Sequence, residues 1–185
     1  MQKKLKSVRN KSIGANIQIG NSATEPNNHV DCIKVLKKFK DENIKLIVPL
    51  SYGPSIYAEF VKKYCIKNFP GKYEFIEKFI SRDKYIEKLD EVDIAVMFHN
   101  RSQAFGNCIA LITLGKKLYI KNNNPLWNFF QKTNIIVFDA NKIKDLSFEE
   151  FLKPLTEEQI QSNISKISNF YSEKKRLEHL SCILN

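Results

Sequence analysis

Residues 101–107 hold the side chains best suited to binding an anion: Arg101, Ser102, Gln103, Ala104, Phe105, Gly106 and Asn107. Small residues open a helix here, directly behind an arginine. A helix start offers unpaired N–H groups and a positive dipole end, both of which suit phosphate. Gly106 lets the backbone come close to a ligand, and Arg101 adds a two-pronged, charge-assisted contact. A diphosphate fits such a site. An ordinary connecting loop with a surface arginine produces the same pattern, and composition alone does not separate the two.

Other polar residues fall at comparable places. Gly20, Asn21 and Ser22 follow one apolar run, and Ser51, Tyr52, Gly53 and Pro54 follow the next. Lys121, Asn122, Asn123, Asn124 and Pro125 follow a third. Gly20-Asn21-Ser22 is not a G-x-G-x-x-G fingerprint and no full Walker pattern occurs, so dehydrogenase and kinase readings lose their main support. His99 ends a strand, where it suits a base or sugar contact or a general base, although a lone histidine there is more often structural. His29 lies early in the first helix and reaches the same edge, while His179 belongs on the surface of the C-terminal helix. Tyr52 and Phe98 suit stacking on a pyrimidine, with core packing the default for Phe98, and Trp127 reads as a packing anchor. There is no H-E-x-x-H motif and no D-x-D pair, so no metal is expected.

The elements that must carry these residues alternate. Strands are predicted at 17–19, 44–50, 73–76, 93–98, 118–120 and 135–138. Between them fall a helix opening at Thr24-Glu25-Pro26 and others over 54–67, 83–89, 103–114 and 125–131. Pro26 occupies a favoured early helical position, and Gly115 stands where a helix ends. Cys32, Ile33, Leu36 and Phe39 make the apolar stripe of the first helix. The run Ile44-Lys45-Leu46-Ile47-Val48-Pro49-Leu50 suits a strand buried on both faces. This alternation implies parallel strands, right-handed crossovers and helices on both sides: an α/β, doubly wound, Rossmann-like sheet of about six strands. In such a sheet ligands bind beyond the carboxyl ends of the strands, where the loops above fall. After Phe138 the pattern is helical only. Thr156 and Gln159 bracket a capping box, and Ile160, Ile164, Ile167 and Tyr171 form a stripe. This last helix packs on the sheet in a lone domain, or crosses to the other half of a two-domain protein. The expected organisation is a basic leader at 1–15, a Rossmann-like domain at 16–140 and a helical extension at 141–185.

The 185 residues are 43% apolar and 27% charged, which suits one ordinary domain. The formal net charge of +10 attracts anions such as nucleic acid, acidic lipid or phosphate-bearing small molecules. Five basic residues in the leader (Lys3, Lys4, Lys6, Arg9 and Lys11) read as a solvated tail or as a contact to an anionic membrane surface. Basic residues are otherwise spread along the chain without any RNP, KH or helix-turn-helix pattern, so nucleic acid is not the expected partner. Cys32, Cys65, Cys108 and Cys182 lie far apart in apolar segments and read as reduced core residues. No signal peptide and no apolar run long enough to span a membrane is seen.

Four segments together resemble glycosyltransferase family 56, the 4-alpha-L-fucosyltransferase family. They are Ile17-Gln18-Ile19-Gly20-Asn21-Ser22 followed by Asn27-Asn28-His29; Ile47-Val48-Pro49-Leu50-Ser51-Tyr52; Arg101-Ser102-Gln103-Ala104-Phe105-Gly106; and Asn122-Asn123-Asn124-Pro125-Leu126-Trp127. They occur in the family's order and at similar spacing over residues 16 to 140, while the last thirty residues lack its aromatic-rich tail.

The resemblance implies a GT-B glycosyltransferase with two Rossmann-like domains facing a cleft. This chain is then the C-terminal, donor-binding half, inactive alone, with the acceptor-binding half absent. Family members move 4-acetamido-4,6-dideoxygalactose from a dTDP carrier to a polyprenyl-diphosphate-linked acceptor, in enterobacterial common antigen synthesis. They work in the bacterial cytoplasm, peripherally on the inner face of the inner membrane. By matching position, Gly20, Asn21 and Ser22 line the donor phosphates and sugar, and Arg101, Gln103 and Gly106 hold the diphosphate. Tyr52, Phe98 and His99 frame the thymine and ribose. His29 and Asn107 complete the donor-binding set, and Asn124 and Trp127 shape the far wall. Arg101 is the expected stabiliser of the leaving diphosphate, without a metal, and His99 a second catalytic candidate. The implied partners are the nucleotide sugar, a lipid-linked acceptor through the other domain, and a second copy in a weak dimer. A non-catalytic nucleotide-sugar-binding or regulatory module is the alternative.

Overall fold

The computed structural model describes residues 14–172. The leader therefore lies almost wholly outside the described residues, as do His179 and Cys182.

Apolar residues at every second strand position build two cores, one on each side of a single sheet. Its strands are β1 (Ala15–Ile19), β2 (Ile44–Pro49), β3 (Tyr73–Ile76), β4 (Ile94–Met97), β5 (Lys117–Ile120) and β6 (Phe138–Asp139). Ile17, Ile19, Leu46, Val48, Ile94, Val96 and Tyr119 point to one side. Ile47, Ala95, Met97, Leu118 and Ile120 point to the other, as the two-residue period of a strand requires. The first side is covered by α1 (His29–Leu36), α2 (Ser55–Asn68) and α6 (Phe148–Leu152) through Cys32, Ile33, Leu36, Val61, Cys65 and Phe151. The second is covered by α3 (Arg82–Glu91), α4 (Phe105–Thr113), α5 (Pro125–Lys132) and α7 (Glu157–Tyr171) through Leu89, Cys108, Leu111, Ile112, Leu126, Phe130 and Ile167.

All pairings are parallel and the strand order is β3-β2-β1-β4-β5-β6. The chain winds outward from β1 to β3 and then returns to lay β4 beside β1. A topological switch point therefore opens between β1 and β4, where their loops leave in opposite directions. The doubly wound sheet of six strands agrees with the sequence reading. Cys32, Cys65 and Cys108 are free and buried, and burial pushes the Cys65 and Cys108 thiols up to about 12, so they remain protonated packing groups.

Three details differ from the sequence reading. The sixth strand, expected at 135–138, pairs only at Phe138 and Asp139. Asn163 of α7 accounts for this, because its side chain accepts from the Ile136 amide at 2.7 Å and donates to the Ile136 carbonyl at 3.1 Å. One buried amide thus supplies both bonds that a neighbouring strand would have given. The first helix does not run on from Pro26: a 3-10 turn at Glu25–Asn27 is broken by Asn28, whose φ is 51°, and α1 begins at His29. Finally, a 3-10 segment at Ala140–Asp145 and the short α6, closed by a Ser147–Glu150 capping box, precede α7.

Helix α7 opens on the expected Thr156–Gln159 box and lies along α4. Ile160 packs over the left-handed turn at Gly115, which has a φ of 74° and where a Cβ would stand 3.3 Å from Ile160, closer than ordinary contact. Phe170 meets Phe105 and Phe129 edge-on at the other end. Tyr171, assigned to the stripe, is exposed, and Phe170, also at the surface, makes the ring contacts to the core. Among the described residues no helix is long and apolar enough to cross a membrane.

Candidate functional site

The loops that leave the carboxyl ends of β1, β2, β4 and β5 are locked together mainly by amide side chains. Asn27 is the centre of the first loop and is buried. Its Oδ1 accepts from the Asn21 amide at 3.0 Å. Its Nδ2 lies 2.9 Å from the Ser22 carbonyl and 2.9 Å from Thr24 Oγ1. Gly20 allows this wrap. Its φ is 63°, and a Cβ there would stand 2.8 Å from both Asn27 Oδ1 and His29 Nε2, so no side chain fits without displacing one of them. Sequence reasoning quoted Asn27 but gave it no role; its signal is an asparagine just ahead of the left-handed Asn28.

Further bonds tie this loop to the others. The Ala23 amide donates to the Tyr52 carbonyl at 2.6 Å. Asn28 Nδ2 donates to the Phe98 carbonyl at 3.1 Å, and the Asn100 amide to the Pro26 carbonyl at 3.1 Å. On the far side Asn124 is wholly buried. Its Nδ2 donates to the carbonyls of His99 and Arg101, each at 3.0 Å, and its Oδ1 caps α5 by accepting from the Leu126 amide at 2.8 Å. Asn124 is thus engaged in holding together the loops after β4 and β5.

At the start of α4 the position ahead of the helix, Ala104, is left-handed with a φ of 60° and offers no side-chain cap. The first-turn amides of Phe105 and Gly106 therefore lack an internal acceptor. Nothing lies within 4 Å of where a Gly106 Cβ would be, so open space stands before this turn. Arg101 is exposed beside it, its Nε donating to Gln103 Oε1 at 3.2 Å. Asn107 does not face this space. Its side chain turns into the fold, donating to the Tyr85 hydroxyl and approaching Gln18 Nε2 at 3.4 Å. In this way α4 is moored to β1 and α3, by a side chain that was expected to meet the ligand and instead turns into the fold.

His29 and His99 also depart from expectation. Both are fully enclosed, although the sequence reading set them at the ligand edge. The bonds from Asn28 and Asn100 fold the first loop over His99, and α2 closes over His29, whose Nδ1 lies 3.3 Å from the Tyr57 hydroxyl. Burial, with His99 facing it, holds His29 down at about 4. Burial does the same for His99, also at about 4. Both rings are neutral near pH 7, and neither is exposed to solvent.

The aromatic candidates divide as well. Phe98 is buried beneath the Lys121 amine, 5.2 Å from the ring centre, which leaves no free face at the cleft. Tyr52 is 77% exposed at the tip of its loop, free to stack on a flat ligand. Ser22 is buried and bonded within its loop. Trp127 is half-buried against the α4 and α5 core.

Among the described residues, five enclosed side-chain atoms have no hydrogen-bond partner: Asn21 Oδ1, His29 Nε2, both ring nitrogens of His99, and Gln103 Nε2. All lie around the β1–β4 switch point. An enclosed polar atom without a partner costs about 1–3 kcal/mol, and such groups are few in a folded chain.

The fold is found in solved glycosyltransferases. A glycosyltransferase from Rickettsia africae matches over 93% of this chain and 48% of its own, with a TM-score of 0.72 and 17% identity. Anabaena HepE, solved with UDP and glucose, matches over 91% of this chain and 48% of its own, with a TM-score of 0.69 and 12% identity. The chain thus spans about half the length of either protein. The C-terminal domain of a group 1 glycosyltransferase from Francisella tularensis is comparable in extent, with 88% of this chain and 90% of that one aligned, a TM-score of 0.65 and 9% identity. At sequence level, residues 1–176 match the family model described as 4-alpha-L-fucosyltransferase, glycosyl transferase group 56. The chain belongs to that glycosyltransferase family.

Proposed function

We propose that this chain is the donor-binding domain of a glycosyltransferase that uses a dTDP-sugar, with the diphosphate seated at the start of α4. The observation that carries the reading is the uncapped first turn of α4, with open space before Gly106 and Arg101 beside it. Phosphate oxygens there accept from the free amides and meet the positive end of the helix dipole. Arg101 adds a charge-assisted bond. The leaving diphosphate gains charge in the transition state, so these donors stabilise the transition state more than the bound donor. The charge is supplied by the chain, and the reading needs no metal.

Gly20 and Asn21 form the near wall and Tyr52 the platform for the base. Residues 16–140 are the nucleotide-sugar domain and 141–185 an extension. The acceptor, a lipid-linked sugar, is bound by another half at the cytoplasmic face of the membrane. Tyr52, Ile56 and Phe79, exposed at 77%, 84% and 91%, are surface that a facing domain or a second copy would cover.

Calorimetric titration with dTDP, UDP and GDP tests the reading. Selective binding of dTDP is expected, weakened at least severalfold by Arg101→Ala. Binding of none of the three overturns the donor site, and equal binding by Arg101→Ala removes Arg101 from it.

A further inference from the structure

We propose that Lys121 is a second cation of the diphosphate site, acting beside Arg101. β4 and β5 are in register with Met97 opposite Ile120. One step further on, Phe98 and Lys121 are therefore neighbours at the carboxyl edge. The amine lies over the Phe98 ring, 5.2 Å from its centre, and donates to Asn100 Oδ1 at 2.7 Å. Asn100 is itself fixed, because its amide donates to the Pro26 carbonyl. Asn124 grips the carbonyls of His99 and Arg101 from the Lys121 loop, so Lys121 and Arg101 ride on one braced pair of loops.

Among the described residues the charge on Lys121 has no carboxylate partner, although Lys34, Lys45, Lys62, Lys88 and Lys116 each have one. The carboxylate that ends β6, Asp139, is occupied by Asn122 Nδ2 at 3.0 Å and the Asn141 amide at 2.9 Å. A lysine side chain loses considerable rotamer freedom when held. Here neutral partners, an amide oxygen and a ring face, hold it. An ammonium has three donors, and Asn100 takes one. The other two remain for an anion at the edge where the α4 amides, Arg101 and the unpartnered Asn21 and Gln103 atoms gather. Two cations and a helix start match a diphosphate better than a single phosphate. Lys121 therefore gives the site its preference for a nucleoside diphosphate over a monophosphate.

This inference rests on the donor-site reading, and titration of the chain with dTDP, dTMP and thymidine separates the two. Lys121→Met is expected to weaken dTDP binding about tenfold or more, the loss of a charge-assisted bond. It should weaken dTMP less and leave thymidine unchanged. Lys121→Arg should retain most of the affinity. Asn100→Ala, which frees the amine without removing it, should lose dTDP affinity severalfold, again sparing thymidine; it serves as the test if Lys121→Met fails to fold. Unchanged dTDP affinity in Lys121→Met, or equal losses for dTDP and thymidine, overturns the role of Lys121 and leaves the donor site standing. A parent chain that binds none of the three ligands takes down the donor site and this inference together.

Discussion

The enclosed histidines make stability depend on pH in a calculable way. His29 and His99 are both held down to about 4 from an ordinary 6.5. In the unfolded chain each takes up a proton as the pH falls through 6.5, while in the folded chain each stays neutral until about 4. The unfolded state therefore binds more protons between these values, and stability falls as the pH falls. The contribution is complete above the unfolded value and is eroded progressively below it. Between about pH 7.5 and about pH 5.5 each ring removes roughly 1.3 kcal/mol, or about 2.5 kcal/mol for the pair. The carboxylates Glu59, Glu74 and Glu150 ordinarily titrate at 4.5 and are held lower in the fold by their lysine and Ser147 partners, so they add little in this window. Urea unfolding followed by circular dichroism at the two pH values measures the difference directly. His99→Asn and His29→Gln should each remove about half of the pH dependence, whatever they do to stability at neutral pH. A parent with the same unfolding free energy at both pH values refutes the assignment of two buried neutral rings, as does an unchanged slope in both variants.

Three other outcomes follow from the same edge. Gly20→Ala places a Cβ 2.8 Å from Asn27 Oδ1 and His29 Nε2 at a φ of 63°; thermal melts should record a loss of about 1–3 kcal/mol together with loss of dTDP binding. Asn27→Ala leaves the Asn21 amide and the Ser22 carbonyl without their partner, and should destabilise by about 2–3 kcal/mol in chemical unfolding. Asn163→Ala removes both bonds to Ile136, and a loss of about 2 kcal/mol or more is expected, with faster amide exchange at Ile136 than in β5.

The sheet was legible because its information is local. Each strand is a short apolar run, and each helix between strands is long enough to show its stripe. What was not legible depends on residues distant in sequence. The end of the sheet moved because Asn163, 27 residues beyond Ile136, supplies the bonds a strand would have made. The candidate site was legible as a set of loops but not as a set of exposed atoms. His99 ends its strand as read, yet nothing local says that Asn28 and Asn100 will draw the first loop over it. Asn107 follows Gly106 directly, yet its side chain answers to Tyr85 and Gln18, 22 and 89 residues away. Arg101 and Gly106 lie where the sequence placed them, just ahead of α4 and in its first turn, because periodicity locates a helix start.

The way this edge is braced suits the anion proposed for it. Asn27, Asn28 and Asn124 link the loops through neutral amides bonded mainly to backbone groups. Carboxylates used for the same bracing would have neutralised Arg101 and Lys121 and raised the free energy of a phosphate beside them. Neutral cross-links fix the geometry while leaving the positive field intact. Among the described residues the ion pairs lie on other parts of the surface, from Lys45–Glu74 to Lys116–Asp90. A carboxylate introduced at a bracing position, as in Asn124→Asp, should therefore weaken diphosphate binding more than Asn124→Ser, even if the loops keep their shape. Titration of both variants with dTDP at low and high salt separates field from geometry, since only the field is screened.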